Sequence, residues 1–140
     1  MSIYHKSRLA DYMDEHGLTI ERMSGPDWNV VDGHGRHEYV LRLNHAATQD
    51  FFEFPYWTGV DITTDPEDTA TSIFDMLISD AWGVENNPTF EDWASEYDYD
   101  TDSRKAEAAY REVRAQADQF TQLIGGRGEL ENLAMNYERI

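Results

Sequence analysis

The sequence predicts an α+β domain: a small antiparallel sheet of three or four strands, with one helix before it and three or four after it. Three observations carry this expectation. Apolar residues recur at helical spacing over residues 2–16 and again after residue 65; they alternate through most of 18–57; and glycine or proline stands where the period changes. The chain has 140 residues, 40% of them apolar and 13% aromatic, enough to bury a core and too many large side chains for a disordered acidic tail. Neither an internal repeat nor a long linker divides it, so one domain over 1–140 is expected.

Residues 2–16 read as the first helix, with Ser2 as its cap and Leu9, Tyr12, Met13 and His16 on one face. Gly17 followed by Leu18 is a helix stop. LTIERM (18–23) reads as a short strand, SGPDW as a turn, NVV (29–31) as another short strand, and DGHGR as a loop. EYVLRLNH (38–45) puts Tyr39, Leu41 and Leu43 on one face and Val40 and Arg42 on the other. DFFEFPYW (50–57) gathers Phe52, Phe54 and Tyr56. The short Ala-Ala-Thr connection makes these two a hairpin, and Pro55 places the second on an edge or ends it.

Asp65 then caps a helix over 66–82, with Pro66 at its first position and the stripe Ala70, Ile73, Phe74, Leu77, Ile78 and Ala81. Thr89 caps a second helix with Phe90, Trp93, Ala94 and Tyr97 inward. Asp102 or Ser103 opens a third, reaching Ile124, with the stripe Ala106, Tyr110, Val113, Ala117, Phe120 and Ile124. Glu107–Arg111 and Arg114–Asp118 sit at i,i+4 spacing on its outer face. Glycines 125, 126 and 128 end it, and Leu130 to Tyr137 form a last amphipathic segment that docks or frays. The four tryptophans read mostly as core. Trp57 and Trp82, at the ends of a strand and a helix, are the candidate aromatic anchors for a partner.

The net charge is −17, and its distribution is uneven. From Leu43 to Asp102 there are 15 carboxylates and no lysine or arginine; residues 1–42 balance to −2 and residues 103–140 to zero. The stretch contains Asp61, Asp65, Glu67, Asp68, Asp75, Asp80, Glu91, Asp92, Glu96, Asp98, Asp100 and Asp102, which we take as the candidate partner-binding face. Such a charge repels nucleic acid and anionic membranes, so direct binding to either is not expected, whereas a basic protein surface is favoured. Duplex DNA carries one charge per about 1.7 Å, so 15 carboxylates match about 25 Å of duplex. Simple solubility needs far less charge. Adaptation to a saline cytoplasm is the alternative, for a protein-binding or regulatory module without DNA mimicry; against it, the last 38 residues are balanced.

The chain has no cysteine, which removes disulfides, thiolate metal sites and a cysteine nucleophile. No apolar run suggests a signal peptide or a membrane span, and a cytoplasmic location (the host's, for a phage-encoded chain) is expected. Asp98, Asp100 and Asp102 mimic the opening of a calcium loop, but Ser103 and Ala109 stand where its glycine and bidentate glutamate belong. His34 and His37, with Asp32 and His45, lack a firm third ligand. No nucleophile has an evident base and no motif of metal or phosphate chemistry occurs, so no enzyme activity, catalytic residue, metal or cofactor is expected.

One resemblance adds a setting. Trp57-Thr58-Gly59, Leu77-Ile78-Ser79-Asp80-Ala81, Phe90-Glu91-Asp92-Trp93 and Tyr99-Asp100-Thr101-Asp102-Ser103-Arg104-Lys105-Ala106-Glu107, with Tyr110 closing, resemble a family of small phage, prophage and mobile-element proteins. The likeness spans roughly residues 38–124, and Asp98 stands where the family pattern has glycine. That family is largely without assigned function and supplies no catalytic residues. It implies a mobile element facing host defences. The expected function is therefore a non-enzymatic, anti-CRISPR-like or anti-restriction inhibitor. Its acidic face would occupy the basic nucleic-acid channel of a CRISPR effector first, or a restriction enzyme second.

Overall fold

A computed structural model describes residues 5–31, 33–58, 66–96, 99–100 and 103–137, with side chains at all of these except 5–7, 29, 31, 34 and 66–69. The element order is α1 (His5–Glu15), β1 (Leu18–Val31), β2 (His34–His45), β3 (Asp50–Thr58), α2 (Pro66–Asn86), α3 (Phe90–Glu96), α4 (Arg104–Ile124) and α5 (Arg127–Asn136). This is the expected α+β arrangement, with three strands in the antiparallel order β1-β2-β3. The chain divides into two compact units, Met1–Ile73 and Phe74–Glu138.

In the first unit, alternation along β2 and β3 decides the fold. Tyr39, Leu41 and Leu43 pair with Tyr56, Phe54 and Phe52 across the ladder, and all but the half-buried Tyr56 are buried. α1 lies against β1 and contributes Leu9, Tyr12 and Met13, each 5% exposed or less. Gly17 takes φ +64°, its N–H donating to Asp14 O, and Leu18 turns inward as predicted. The Ser2 cap falls outside the described residues. His16 is not part of the stripe. It is exposed just past α1, stacked 4.0 Å from Tyr12, with Nδ1–H donating to Tyr12 O at 2.9 Å.

The largest departure is β1. The expected strand, turn and strand over 18–31 form one continuous 14-residue strand. Its register against β2 shifts between Arg22 and Ser24 and again between Ser24 and Asp27, so the Ser-Gly-Pro segment is absorbed as an irregularity. The physical reason is position in the sheet. β1 is an edge strand, where the missing N–H of Pro26 removes no ladder bond, and Gly25 takes φ +101°, a value open to glycine. The Gly25–Pro26 peptide is cis. The expected DGHGR loop is likewise mostly strand. Val31 pairs with His34, so β1 and β2 form a tight hairpin in which Gly33 takes φ +81°. Pro55 lies on the other edge strand, as expected.

In the second unit, the stripe of α2 runs on past Trp82. Val84, 4% exposed, adds another buried position after Leu77, Ile78 and Ala81, and the helix ends only where Asn87 Nδ2 donates to Gly83 O. The expected Asp65 cap and the inward Tyr97 lie outside the described residues. Thr89 Oγ1 accepts from Asp92 N at the start of α3, as predicted, and of the two caps expected for α4 it is Ser103 whose Oγ accepts from Ala106 N. Trp93 and Ala94 of α3 pack on Tyr110, with Phe90, Ala109 and Val113 around them. Phe74 meets Phe120 edge-on at 5.6 Å. Gly125, at φ +117°, closes α4, and α5 docks: Leu130 and Leu133 are 0% and 1% exposed. Of the two expected ion pairs on α4, Glu107–Arg111 forms at 2.7 Å. Arg114 instead donates to Pro88 O and Tyr110 Oη.

Candidate partner-binding surfaces

The acidic candidates fall into three groups. Asp61, Asp65, Asp98 and Asp102 lie outside the described residues, as do the side chains of Glu67 and Asp68. Asp75 is half-buried on α2, and Asp100 is exposed after α3. Asp80 on α2 and Glu91, Asp92 and Glu96 on α3 are exposed. Among the described residues no cation stands within ion-pair distance of these four.

Their placement follows from the helix pattern. On α2, Phe74, Leu77, Ile78, Ala81 and Val84 are buried, which leaves Ser79 and Asp80 outside. On α3, Trp93 and Ala94 are buried, which leaves Glu91, Asp92, Ser95 and Glu96 outside. Glu91 and Asp92 lie in the first turn of α3, where the helix dipole favours them. Glu96 lies in the last turn, where the dipole opposes a carboxylate and no basic residue offsets it. Helix stability therefore accounts for two of the three carboxylates and not for the third.

Asp80 is held against its own preference. Protein around its carboxyl desolvates it and raises its pKa above the ordinary aspartate range, although the residue as a whole is exposed. The charged form bears the cost. A folded-state value raised above the unfolded one means that folding takes up a proton, so stability present at low pH is lost as pH rises through the carboxylate range. Asp80→Asn is therefore expected to raise the melting temperature at pH 7. The difference should close as pH is lowered below the ordinary aspartate range. Thermal scans at both pH values check this, and an unchanged or lowered melting temperature at pH 7 would refute it.

Glu53 and Glu85 of the acidic stretch are neutralised by bases from outside it, which linear order hid. Arg42, the residue just before the stretch, meets Glu53 through Nε at 3.0 Å and Nη2 at 2.5 Å, and Arg127 Nε from the start of α5 meets Glu85. The stretch is thus not wholly uncompensated. Residues 1–73 hold 13 acids and 5 bases and residues 74–138 hold 15 and 5, so both units are acidic.

A second surface belongs to the first unit. The outward-facing side of the sheet carries Asn44, Arg42, Val40, Glu38 and Arg36 on β2, beside Phe51, Glu53, Pro55 and Trp57 on β3. Arg42 lies 4.0 Å over the Phe51 ring and Arg36 4.8 Å over the Trp57 ring, while Trp57 Nε1 donates to Glu38 Oε1 at 3.3 Å. Trp57 is 45% exposed, which suits an anchor; Trp82 is half-buried. Trp28, expected in the core, is 62% exposed. It pairs with His37 at the level of Thr58, where β3 ends, and its ring rests over Gly35 and edge-on to His37. The outward aromatics follow from the alternation that sends Phe52 and Phe54 inward. Their pairing with Arg36 and Arg42 needed the strand register.

Asp32, Asp98 and Asp102 and the side chain of His34 lie outside the described residues. Among the described residues no group of three or more His, Asp or Glu side chains is arranged to hold a metal ion. No helix among them is long and apolar enough to cross a membrane. No protein-family model, curated protein or solved structure matches the chain.

Proposed function

We propose that this chain is a non-enzymatic inhibitor that captures the basic nucleic-acid-binding surface of a host defence complex, a CRISPR effector first and a restriction enzyme second. The observation that carries the reading is the set of four exposed carboxylates, Asp80, Glu91, Asp92 and Glu96. Among the described residues no cation stands beside them, and a buried core holds their two helices in place. Carboxylates on a folded support approach a basic channel with little ordering cost, and they attract it over a distance set by the salt. Association would be fast and salt-sensitive, with carboxylates taking the places of phosphates against arginine and lysine. The resemblance to mobile-element proteins supplies the biological setting, and Trp57 and Trp82 remain the candidate anchors.

The test is retention from host lysate by the immobilised protein at about 0.1 M and about 0.5 M salt, where screening differs markedly in strength. A nucleic-acid-handling complex should be retained at the lower salt, released at the higher, and lose its DNA or RNA binding when the protein is added. Retention of no such complex at low salt overturns the reading.

A further inference from the structure

Three groups converge where α2 passes into α3. The connection is Asn87-Pro88-Thr89, and the carbonyl oxygen of Pro88 accepts two hydrogen bonds, from Tyr110 Oη and from Arg114 Nη1, both at 3.0 Å. Arg114 Nη1 also donates to Tyr110 Oη at 3.0 Å, which closes a triangle. The donors lie one helical turn apart on α4, 22 and 26 residues along the chain from the carbonyl they share. The Tyr110 ring meanwhile packs against Phe90 at 5.7 Å and Trp93 at 5.4 Å.

α3 needs such support. It has seven residues, too few to persist as a helix without tertiary contacts, and three of them are exposed carboxylates that repel one another. Arg114 is not placed as their counter-charge, since the carboxylates that act on it through space are Asp118 and Glu85. We infer that Tyr110 and Arg114 are positioning residues: by fixing the Pro88 carbonyl they hold α3, and with it Glu91, Asp92 and Glu96, in a set arrangement on α4. The part of this inference that concerns partner capture rests on the acidic-surface reading above.

Charge and positioning make opposite predictions here, which gives the test. Tyr110→Phe keeps the ring and removes the hydroxyl. Arg114→Gln removes a positive charge, and so does the control Arg111→Gln, whose partner is Glu107. Amide hydrogen exchange reads the arrangement directly. Exchange in α3 should quicken about tenfold in Tyr110→Phe and Arg114→Gln, as expected when one or two hydrogen bonds are removed, with α5 unchanged. Unchanged α3 exchange overturns the inference whatever the protein binds.

Affinity for a labelled nona-arginine peptide at low salt reads the consequence. If charge alone mattered, both arginine variants would bind the peptide more tightly than the unaltered chain. Positioning predicts that Arg111→Gln tightens binding while Arg114→Gln and the charge-neutral Tyr110→Phe weaken it severalfold. Tightening by Arg114→Gln equal to that of Arg111→Gln overturns the inference. Failure of the unaltered chain to bind the peptide instead overturns the acidic-surface reading, and the exchange measurement still decides the role of Tyr110 and Arg114.

Discussion

Removing the three carboxylates of α3 together, in a Glu91→Gln, Asp92→Asn, Glu96→Gln variant, is expected to weaken binding to nona-arginine about a hundredfold at low salt, at about 1 kcal/mol for each exposed pair with a cation, the upper end for surface pairs. The salt dependence gives a second readout. Removing carboxylate–cation pairs should also flatten the fall of affinity with salt, because fewer opposite charges are left to be screened. Neutralising Glu91 and Asp92 also removes two favourable charges from the first turn of α3, so the fold must be checked. The near-parallel stack of Trp93 on Tyr99, at 4.9 Å and 7°, provides a near-ultraviolet signal for that purpose. An intact stack with unchanged affinity and salt dependence would remove α3 from any binding surface.

Gly25→Ala is expected to have the largest effect on stability, about 3–5 kcal/mol, against the roughly 5–15 kcal/mol that holds a typical domain together. Two causes combine. The φ of +101° is strained for any L side chain, at about 1–3 kcal/mol. A Cβ there would also lie 2.5 Å from Glu38 O and 3.0 Å from Tyr39 Cα, both backbone of the central strand. Neither atom can withdraw without disturbing the ladder beside Tyr39, which is buried in the core of the first unit. Gly33→Ala is the control. Its φ of +81° brings strain, but nothing lies within 4 Å of the added carbon, so about 1 kcal/mol is expected. Urea denaturation of the two variants compares them. Equal costs would show that the close approach of β1 to β2 at Gly25 is not a constraint.

Local pattern was enough wherever one face of an element met the core. The alternation of Tyr39, Leu41 and Leu43 against Phe52 and Phe54, and the stripes of α2 and α4 apart from the half-buried Ala70 and Val113, reappear as the buried residues because a strand or helix has only one face to bury. The Thr89 cap was equally legible, and the cap of α4 was legible to within one residue, Asp102 or Ser103, since a cap depends on a side-chain oxygen and an amide three residues away. The outward position of Glu91, Asp92 and Glu96 followed from the same stripes.

What needed the tertiary structure was everything that depends on a partner distant in the chain. Ser24-Gly25-Pro26 is turn chemistry when read locally, and it becomes strand because an edge position tolerates Pro26 and a neighbouring strand holds Gly25. Trp28 is a core residue by type and an exposed one by its place at the end of β3 pairing. Glu53 and Glu85 belong by sequence to a stretch without bases, yet Arg42 and Arg127 neutralise them once strands and helices are brought together. Arg114 is spaced for Asp118 along its own helix and bonds instead to a carbonyl 26 residues away. Sequence by itself determined which side of each element is apolar and where the acidic residues are concentrated. Folding decided which carboxylates are left without a cation, because Coulomb partners are chosen by distance in space and not by distance along the chain.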